Sequence, residues 1–277
     1  MIAGVVVFYN PKESEINHIL GYIEKIDIFV VIDNSKEPIK NTLDSILSSY
    51  QKKVQYRHFP NNIGLCAGFN YGIKTSSENG CDWTLLMDSD SELINDIIEE
   101  YKKVNTDKVA VIAPIHIHDR SKDKPYNGVK EIKWAMTSGC LYNNNIFNEI
   151  RGFNEDLFVD GLDIDYCYRA REHGYKIMEC GNALLQHYPA ETHTISILGK
   201  KIIKYGKSSP WRYYLQVKSL VWIFLRYRHF SDFIFLIWKW IKMVLFFDYK
   251  GEYFINMKKG VVDGLHMYKK YREDLRT

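Results

Sequence analysis

Two aspartates separated by one residue are the first candidates for chemistry in this sequence. Asp88 and Asp90 follow Trp83–Met87, a short apolar run typical of a buried strand. Side chains at the carboxyl end of a strand in an open α/β sheet face the ligand crevice. Two carboxylates in that position suit Mg²⁺ or Mn²⁺, which fill their other coordination positions with water and substrate oxygens. Because the same spacing is also common in solvated turns, the pair needs support from other residues.

A second acidic cluster marks the start of a predicted helix at 162–173. Asp160, Asp163 and Asp165 stand in an otherwise apolar stretch. One carboxylate there is explained by helix capping, but three are not. Asp163 and Asp165 are two residues apart and point in different directions on a helix, so one can act at a site while the other holds structure.

His187 closes a predicted strand at 183–187. A single histidine in this position is often structural. It is also a candidate third ligand for a cation held by Asp90, and the sequence alone leaves both interpretations open.

Glycines recur every fourth residue along a predicted helix at 64–75. Glycine inside a helix costs roughly 1 kcal/mol relative to alanine, so Gly64, Gly68 and Gly72 indicate close approach of another group. Close packing on a sheet explains Gly68 and Gly72. Gly64 follows Asn62 at the mouth of the helix, where outward N–H groups suit a phosphate or a base.

The elements that must position these residues alternate between short β-type runs and helical patterns. The alternation begins with a strand at 2–8 and a helical stretch at 11–25 and continues to about residue 190. Its later part includes a helix from about 93 to 104, a strand at 132–137 and two closing strands at 177–178 and 183–187. It predicts an α/β domain, followed by a helical extension that begins near a Ser-Ser-Pro turn at 208–210. We therefore expect a catalytic domain over 1–205 and an extension over 206–277.

Charge divides along the chain in the same way. The overall charge is +3, but residues 205–277 hold 14 Lys or Arg against 6 Asp or Glu, and also 19 of the 40 aromatic residues. An acidic body with a basic, aromatic C-terminal segment suggests that this segment binds an anionic surface. Motifs for binding nucleic acid are missing, so we expect no nucleic-acid partner.

The tail contains a 15-residue apolar run, Phe233–Phe247, interrupted by Lys239 and Lys242. It falls below the roughly 20 residues needed to span a bilayer, so it is expected to lie on a membrane. The alternative is a helix packed against the core or a second subunit, which leaves a homodimer open.

Five scattered cysteines without a metal-type spacing, and an N-terminus without a secretory signal, indicate a cytoplasmic protein. Together with the apolar run of the tail, they predict a peripheral position on the inner face of the cell membrane.

Motifs along residues 1 to about 190 resemble the inverting family 2 glycosyltransferases, most closely their rhamnosyltransferase branch. They occur here in the order found in that family: Val5-Val6-Val7-Phe8-Tyr9-Asn10, Ile32-Asp33-Asn34-Ser35, the Asn62 to Gly72 stretch, Asp88-Ser89-Asp90, Ser138-Gly139, Gly152-Phe153-Asn154-Glu155 and the Asp163 helix. The resemblance implies a GT-A type nucleotide-diphospho-sugar transferase domain, with a Rossmann-like mixed sheet flanked by helices.

The resemblance also implies a role for each matching residue. Asp163 is the expected general base. Asp90 and His187, with Asp88, are the expected ligands of a divalent cation, Mg²⁺ or Mn²⁺. Contacts to the nucleotide sugar are expected from Phe8, Tyr9, Asp33, Asn62, Gly64 and Asp88. Acceptor-side contacts are expected from Asp160, Trp134 and Gly139.

These roles predict a metal-dependent enzyme that transfers a sugar with inversion onto a hydroxyl of a lipid-linked surface glycan. A dTDP-rhamnose or other deoxysugar donor is favoured, and a UDP-hexose or UDP-galactofuranose donor is the alternative. An alternative of another class is a nucleotide-sugar- or glycan-binding protein without catalysis. A nucleotidylyltransferase is disfavoured because the segment after the first strand has no Gly-rich, basic phosphate loop.

Overall fold

The chain forms two compact units. The computed structural model describes residues 1–120, 124–188, 191–197 and 200–275. The first unit comprises Met1–Phe153 and Tyr166–Pro189, and the second comprises Asn154–Asp165 and Ala190–Thr277.

A mixed sheet forms the centre of the first unit. Among its described residues the sheet has nine strands: β1 (Ile2–Phe8), β2 (Ile28–Asp33), β3 (Val54–His58), β4 (Trp83–Met87), β5 (Glu92–Leu93), β6 (Val109–Ile117), β7 (Val129–Glu131), β8 (Cys140–Asn143) and β9 (Lys176–Gln186).

Strand order is β3-β2-β1-β4-β8-β6-β9-β5, with β7 paired to β9. The pairs β1–β2, β1–β4 and β2–β3 are parallel, and β8 is antiparallel to both β4 and β6. Phe8 pairs with Asp33, so the carboxyl ends of β1 and β2 lie side by side. Since β4 runs in the same direction, the segments that follow β2 and β4 leave the sheet at one edge.

Helices connect these strands. Those that belong wholly or mostly to the first unit are α1 (Glu13–Asn17), α2 (Lys40–Ile46), α3 (Gly64–Glu78), α4 (Ile97–Tyr101), α5 (Asn144–Glu149) and α6 (Leu162–Glu172). This arrangement confirms the α/β class expected from the sequence.

Helix α3 lies against β1 through two of its glycines. A Cβ atom on Gly72 would stand 2.3 Å from Val5 Cγ1, and one on Gly68 would stand 2.9 Å from Val7 Cγ2. Close packing on the sheet, the explanation predicted for these two glycines, is therefore confirmed. Alternation along β1 turns Val6 and Phe8 to the opposite face, where they join the main hydrophobic core.

Three local predictions needed correction. The helix predicted at 93–104 is only the five-residue α4, because Leu93 pairs with β9 as part of β5 and Asp96 accepts the Glu99 N–H to start the helix. The strand predicted at 132–137 lies instead at β7, paired antiparallel with β9. The two closing strands predicted after residue 176 are one continuous strand, β9.

The second unit contains a β-hairpin that was not predicted from the sequence. Strands β10 (Glu191–Ile197) and β11 (Lys200–Lys207) pair antiparallel ahead of the helices α7 (Pro210–Tyr227), α8 (Phe230–Phe246) and α9 (Lys250–Asp274). The β-branched residues Thr192, Thr194, Ile195 and Ile197 are typical of a strand and could have predicted it. The helical extension itself is present, and Ser209 begins it by accepting the Arg212 N–H through its hydroxyl.

Two glycines bring α7 and α9 together. A Cβ atom on Gly260 would lie 2.6 Å from the Tyr214 carbonyl oxygen, and one on Gly264 would lie 2.7 Å from that of Lys218. Within the part of the chain that the structure describes, no helix combines the length and the apolar character needed to cross a bilayer.

We expect Gly72→Ala to destabilise the first unit. The added methyl group meets Val5 in a packed interior, where overpacking costs about 1–3 kcal/mol, and the higher helix propensity of alanine returns only about 1 kcal/mol. Urea denaturation measures the change. Gly21→Ala is the matched control, since no atom lies within 4 Å of its added Cβ. Equal midpoints for the two variants would contradict this account of α3 packing.

Candidate functional site

The two aspartates of the triplet lie directly after β4, at the edge where the parallel strands end. The Asp88 N–H donates to Ser138 Oγ at 3.0 Å, and the Ser91 N–H donates to the Asp88 carbonyl at 3.3 Å. These bonds fix the turn, and both carboxylates remain partly exposed.

His187 reaches the same place from the end of β9. Its N–H donates to the Ile117 carbonyl at 3.1 Å, and its Nδ1 lies 3.7 Å from Asp90 Oδ1. Asp88, Asp90 and His187 each offer one ligand atom, and these three atoms lie within 4.8 Å of one another. Two carboxylates and one imidazole form a donor set that fits Mn²⁺ or Mg²⁺. The structure thus brings together the three residues expected as metal ligands.

A chain of buried hydroxyl groups supports His187. Ser91 Oγ lies 2.8 Å from His187 Nδ1, and Ser138 Oγ donates to Ser91 Oγ at 2.9 Å. The Ser138 carbonyl in turn lies 2.7 Å from His116 Nε2. Neither Ser91 nor His116 was predicted from the sequence to take part in the site. The position of Ser91 directly after the Asp88-Ser89-Asp90 triplet could have indicated a role, whereas nothing in the sequence around His116 indicates one.

Burial changes the acid–base properties of this group. It raises the pKa of Asp90 above its ordinary value, and it lowers the pKa of His187 despite the nearby Asp90 carboxylate. Burial also lowers the pKa of His116 to about 4, so that ring is neutral near pH 7. A cation binds only deprotonated carboxylates and neutral imidazole, and its charge would favour both states.

Asp33 lies at the end of β2 in a compact hydrogen-bonded arrangement. Its carboxylate accepts the N–H groups of Ser35 and Ile39, each at 2.9 Å, and the Tyr56 hydroxyl at 2.5 Å. Burial and this bond raise the pKa of Tyr56. Tyr56, on the neighbouring strand β3, was not predicted from the sequence to contact Asp33. The Asp33 carboxylate is fully buried and holds the segment after β2 in place.

Asn62 and Gly64 shape the start of α3. Both have positive φ, 41° and 86°. The Gly64 N–H, expected to face a phosphate or a base, donates instead to Asn62 Oδ1 at 3.0 Å, and the Gly64 carbonyl accepts from Asn34 Nδ2 at 3.2 Å. The Asn62 side chain therefore accepts the hydrogen bond that the Gly64 N–H could otherwise donate to a ligand.

Phe8 and Tyr9 have opposite environments. Phe8 is fully buried in the core, so its side chain has no surface for a nucleotide, and the expectation for Phe8 is corrected. Strand alternation is the reason, because Phe8 faces away from α3 into the core. Tyr9 is 62% exposed directly after β1 and can contact a ligand at the edge of the sheet.

Gly139 is a packing residue, which corrects its expected acceptor-side role. It is buried with φ 74°, its carbonyl accepts the Tyr101 hydroxyl at 2.6 Å, and an added Cβ would lie 2.8 Å from Leu185 Cδ2. Trp134, the other acceptor-side candidate in the first unit, is half-buried in the segment before β8.

The other three aspartates predicted near the start of α6, Asp160, Asp163 and Asp165, belong to the second unit. Asp165 is buried, and its Oδ1 accepts from Trp222 Nε1 at 3.3 Å and from the Tyr227 hydroxyl at 2.8 Å. It therefore holds structure, as expected for one member of the pair. Asp163 is half-buried in the first turn of α6, where its Oδ1 accepts the N–H of the next residue.

Asp160 forms an ion pair with the Arg212 side chain. Its Oδ1 accepts from Arg212 Nη2 at 2.9 Å, while burial raises the pKa of its carboxyl.

Two sequence relatives were found over much of the chain. A dTDP-rhamnosyl transferase, RfbF of Shigella flexneri, is 24% identical over 253 residues, which cover 82% of this chain and 81% of that protein. A low-salt glycan biosynthesis hexosyltransferase, Agl10 of Haloferax volcanii, is 23% identical over 202 residues, which cover 64% of each chain.

Solved structures share the fold at low sequence identity. The S. aureus TarS 1–349 structure superposes with a TM-score of 0.60 and 15% identity, covering 95% of this chain and 80% of that one. A structure of GalNAc-T7 with UDP, GalNAc and Mn²⁺ gives a TM-score of 0.61 and 13% identity, covering 81% of this chain but only 47% of that longer chain. They confirm the expected GT-A type fold.

The family model for glycosyl transferase family 2 matches residues 6–167, a range that contains every strand from β2 to β8 and both aspartates of the triplet. With the mixed sheet, the clustered Asp-Asp-His group and the rhamnosyl transferase relative, this match shows that the chain belongs to glycosyl transferase family 2.

Proposed function

We propose that this enzyme transfers a deoxysugar, with dTDP-rhamnose as the favoured donor, onto a hydroxyl of a lipid-linked surface glycan. The observation that carries the proposal is the Asp88, Asp90 and His187 group at the carboxyl edge of a GT-A type sheet. Similarity to a dTDP-rhamnosyl transferase over most of both chains supports the donor. A UDP-hexose or UDP-galactofuranose donor is the second candidate, and the hexosyltransferase relative favours a hexose.

In this proposal Asp88, Asp90 and His187 hold a divalent cation, Mg²⁺ or Mn²⁺. When bound, such a cation supplies positive charge beside a nucleoside diphosphate leaving group. Asp90 is the central ligand, because it neighbours both His187 and the turn that fixes Asp88. Tyr9 and the segments that Asp33 and Asn62 hold in place are proposed to contact the nucleotide.

Asp163 is proposed as the general base. The acceptor hydroxyl gives its proton to the Asp163 carboxylate as its oxygen forms a bond to the anomeric carbon. The bond from that carbon to the diphosphate oxygen breaks on the opposite face, and the electron pair leaves with the nucleoside diphosphate. A single displacement of this kind inverts the anomeric configuration. Asp165 is unsuited to the role because two side chains already bind its carboxylate.

The lipid anchor of the acceptor places the proposed reaction at a membrane surface, on its cytoplasmic side. The basic, aromatic helices α7 to α9 support this location.

Asp90→Ala should weaken Mn²⁺ binding by at least about tenfold, because it removes the central carboxylate of the group. Isothermal titration calorimetry measures the affinity, and a chelator should abolish sugar transfer until Mn²⁺ or Mg²⁺ is restored. Asp107→Ala, at an exposed aspartate, is the control and should bind Mn²⁺ normally. Transfer that continues undiminished in excess chelator would reject metal dependence.

Ser91→Ala should lower Mn²⁺ affinity about tenfold without unfolding the protein. The hydroxyl orients the His187 ring, and loss of such an outer partner commonly costs 10- to 100-fold in metal affinity. The same titration gives the affinity, and thermal melting of the metal-free protein checks the fold. An unchanged affinity would show that His187 is oriented by other contacts or is not a ligand.

Asp163→Asn should reduce kcat for transfer by roughly 10²- to 10⁴-fold while nucleoside diphosphate binding stays near normal. The amide keeps the size of the side chain but cannot take a proton. Turnover is measured with dTDP-rhamnose and then with a panel of nucleotide sugars, which also tests the donor. Asp156→Asn, an exposed residue of the same segment, is the control. Comparable turnover by both variants would exclude Asp163 as the base.

A further inference from the structure

Helix α8 turns its charged side chains inward. Asp232 is 1% exposed and Lys242 is 8% exposed. Lys239 donates through Nζ to Gln216 Oε1 at 2.7 Å, and burial lowers its pKa to about 8. The ammonium groups of Lys239 and Lys242 also lie 5.1 Å and 5.8 Å from the centre of the Tyr213 ring. All three charges of α8 therefore point into the second unit.

The outward face of the same helix is almost entirely apolar. The structure describes every residue of α8, and Ser231 is the one polar side chain among those that are exposed. The other exposed side chains are all large and apolar: Phe230, Phe233, Ile234, Phe235, Ile237, Trp238, Ile241, Val244 and Leu245.

This orientation is the reverse of what water favours for an amphipathic helix. Burying a large apolar side chain contributes about 1.5–3 kcal/mol, and lysine and aspartate are almost never fully buried without partners. Turning α8 about its axis would hide the apolar residues and release the charges to solvent. The observed orientation is favourable where the medium outside the helix is itself apolar.

Three features distinguish a lipid surface from a second protein chain as that medium. Protein interfaces combine apolar contacts with about one hydrogen bond per 100–200 Å², whereas the exposed face of α8 offers only the Ser231 hydroxyl. Exposed cations also flank the apolar face, with Arg228 before α8 and Lys250 after its end, which matches anionic headgroups. Trp238 on this face suits the boundary between headgroups and acyl chains.

We propose that α8 lies in the plane of an anionic membrane, with its nine exposed apolar side chains in the acyl boundary and its charged stripe held by the protein. The inference deepens the proposed membrane location by assigning the helix, the face and the lipid charge. It is independent of the donor sugar and of Asp163, so the experiments on sugar transfer and those on lipid binding can fail separately.

Brominated lipids test which face enters the membrane. The full chain is mixed with vesicles of phosphatidylcholine and phosphatidylglycerol that carry bromine on the acyl chains, and tryptophan fluorescence is recorded. Trp238→Phe should remove most of the quenching because Trp238 is exposed. Trp240→Phe should retain it because Trp240 is half-buried against Phe254. Quenching lost only in Trp240→Phe, or absent in the unmodified chain, would overturn the proposal.

Cosedimentation tests the apolar face and the lipid charge. The combined variant Ile234→Gln, Ile241→Gln and Leu245→Gln should lose binding to these vesicles, and the unmodified chain should bind on the order of tenfold more weakly to phosphatidylcholine alone. Leu20→Gln with Ile94→Gln, two exposed apolar residues of the first unit, is the matched control and should bind normally. Circular dichroism confirms that each variant is folded.

Two results would contradict the proposal. One is equal sedimentation of the triple variant and the control. The other is a dimer, measured by light scattering without lipid, that the triple variant dissociates, because that result would assign the apolar face to a second copy.

Discussion

Parallel pairing of β1 with β2 and β4 is the constraint on which the candidate site depends. Parallel strands end at the same edge, so segments distant in sequence meet there, among them those carrying Asp33 and Asp88. Strand β9 adds His187 through its own parallel pairing with β6. The close approach of Gly72 to Val5 packs α3 on β1, the strand that pairs with both β2 and β4.

Much of this arrangement is predictable from sequence because the relevant signals are local. The apolar runs of β1 and β4 have the bounds that were predicted, and a carboxylate after such a run must emerge at the end of the strand. The environment of a residue is harder to predict when it depends on packing between segments that are distant in the sequence. Phe8 lies in the core because of strand alternation, and His116 reaches Ser138 only because β6 lies beside β8. The direction in which α8 turns its charged stripe is likewise set by Gln216 and Tyr213 on another helix.

The two units use polar burial in different ways. In the first, serine hydroxyls and the His116 ring lie beside a group of potential metal ligands, and burial lowers the pKa of that ring to about 4. In the second, charged side chains are partly buried against specific partners, Asp160 against Arg212 and Lys239 against Gln216. Buried charges are costly to separate from their partners, which favours one fixed orientation of the helices that carry them.

The hydroxyl chain behind His187 has a consequence for proton placement. Ser91 Oγ can donate its hydrogen to Nδ1 or accept one from it, because a hydroxyl group serves as both donor and acceptor. Rotation of the Ser91 O–H bond lets the hydroxyl accommodate either imidazole tautomer without displacing a carbon, nitrogen or oxygen atom, while the ring proton itself exchanges through solvent. When Nδ1 carries the proton and donates it to Ser91 Oγ, the lone pair of Nε2 is free for a cation, and no rearrangement of the backbone is required.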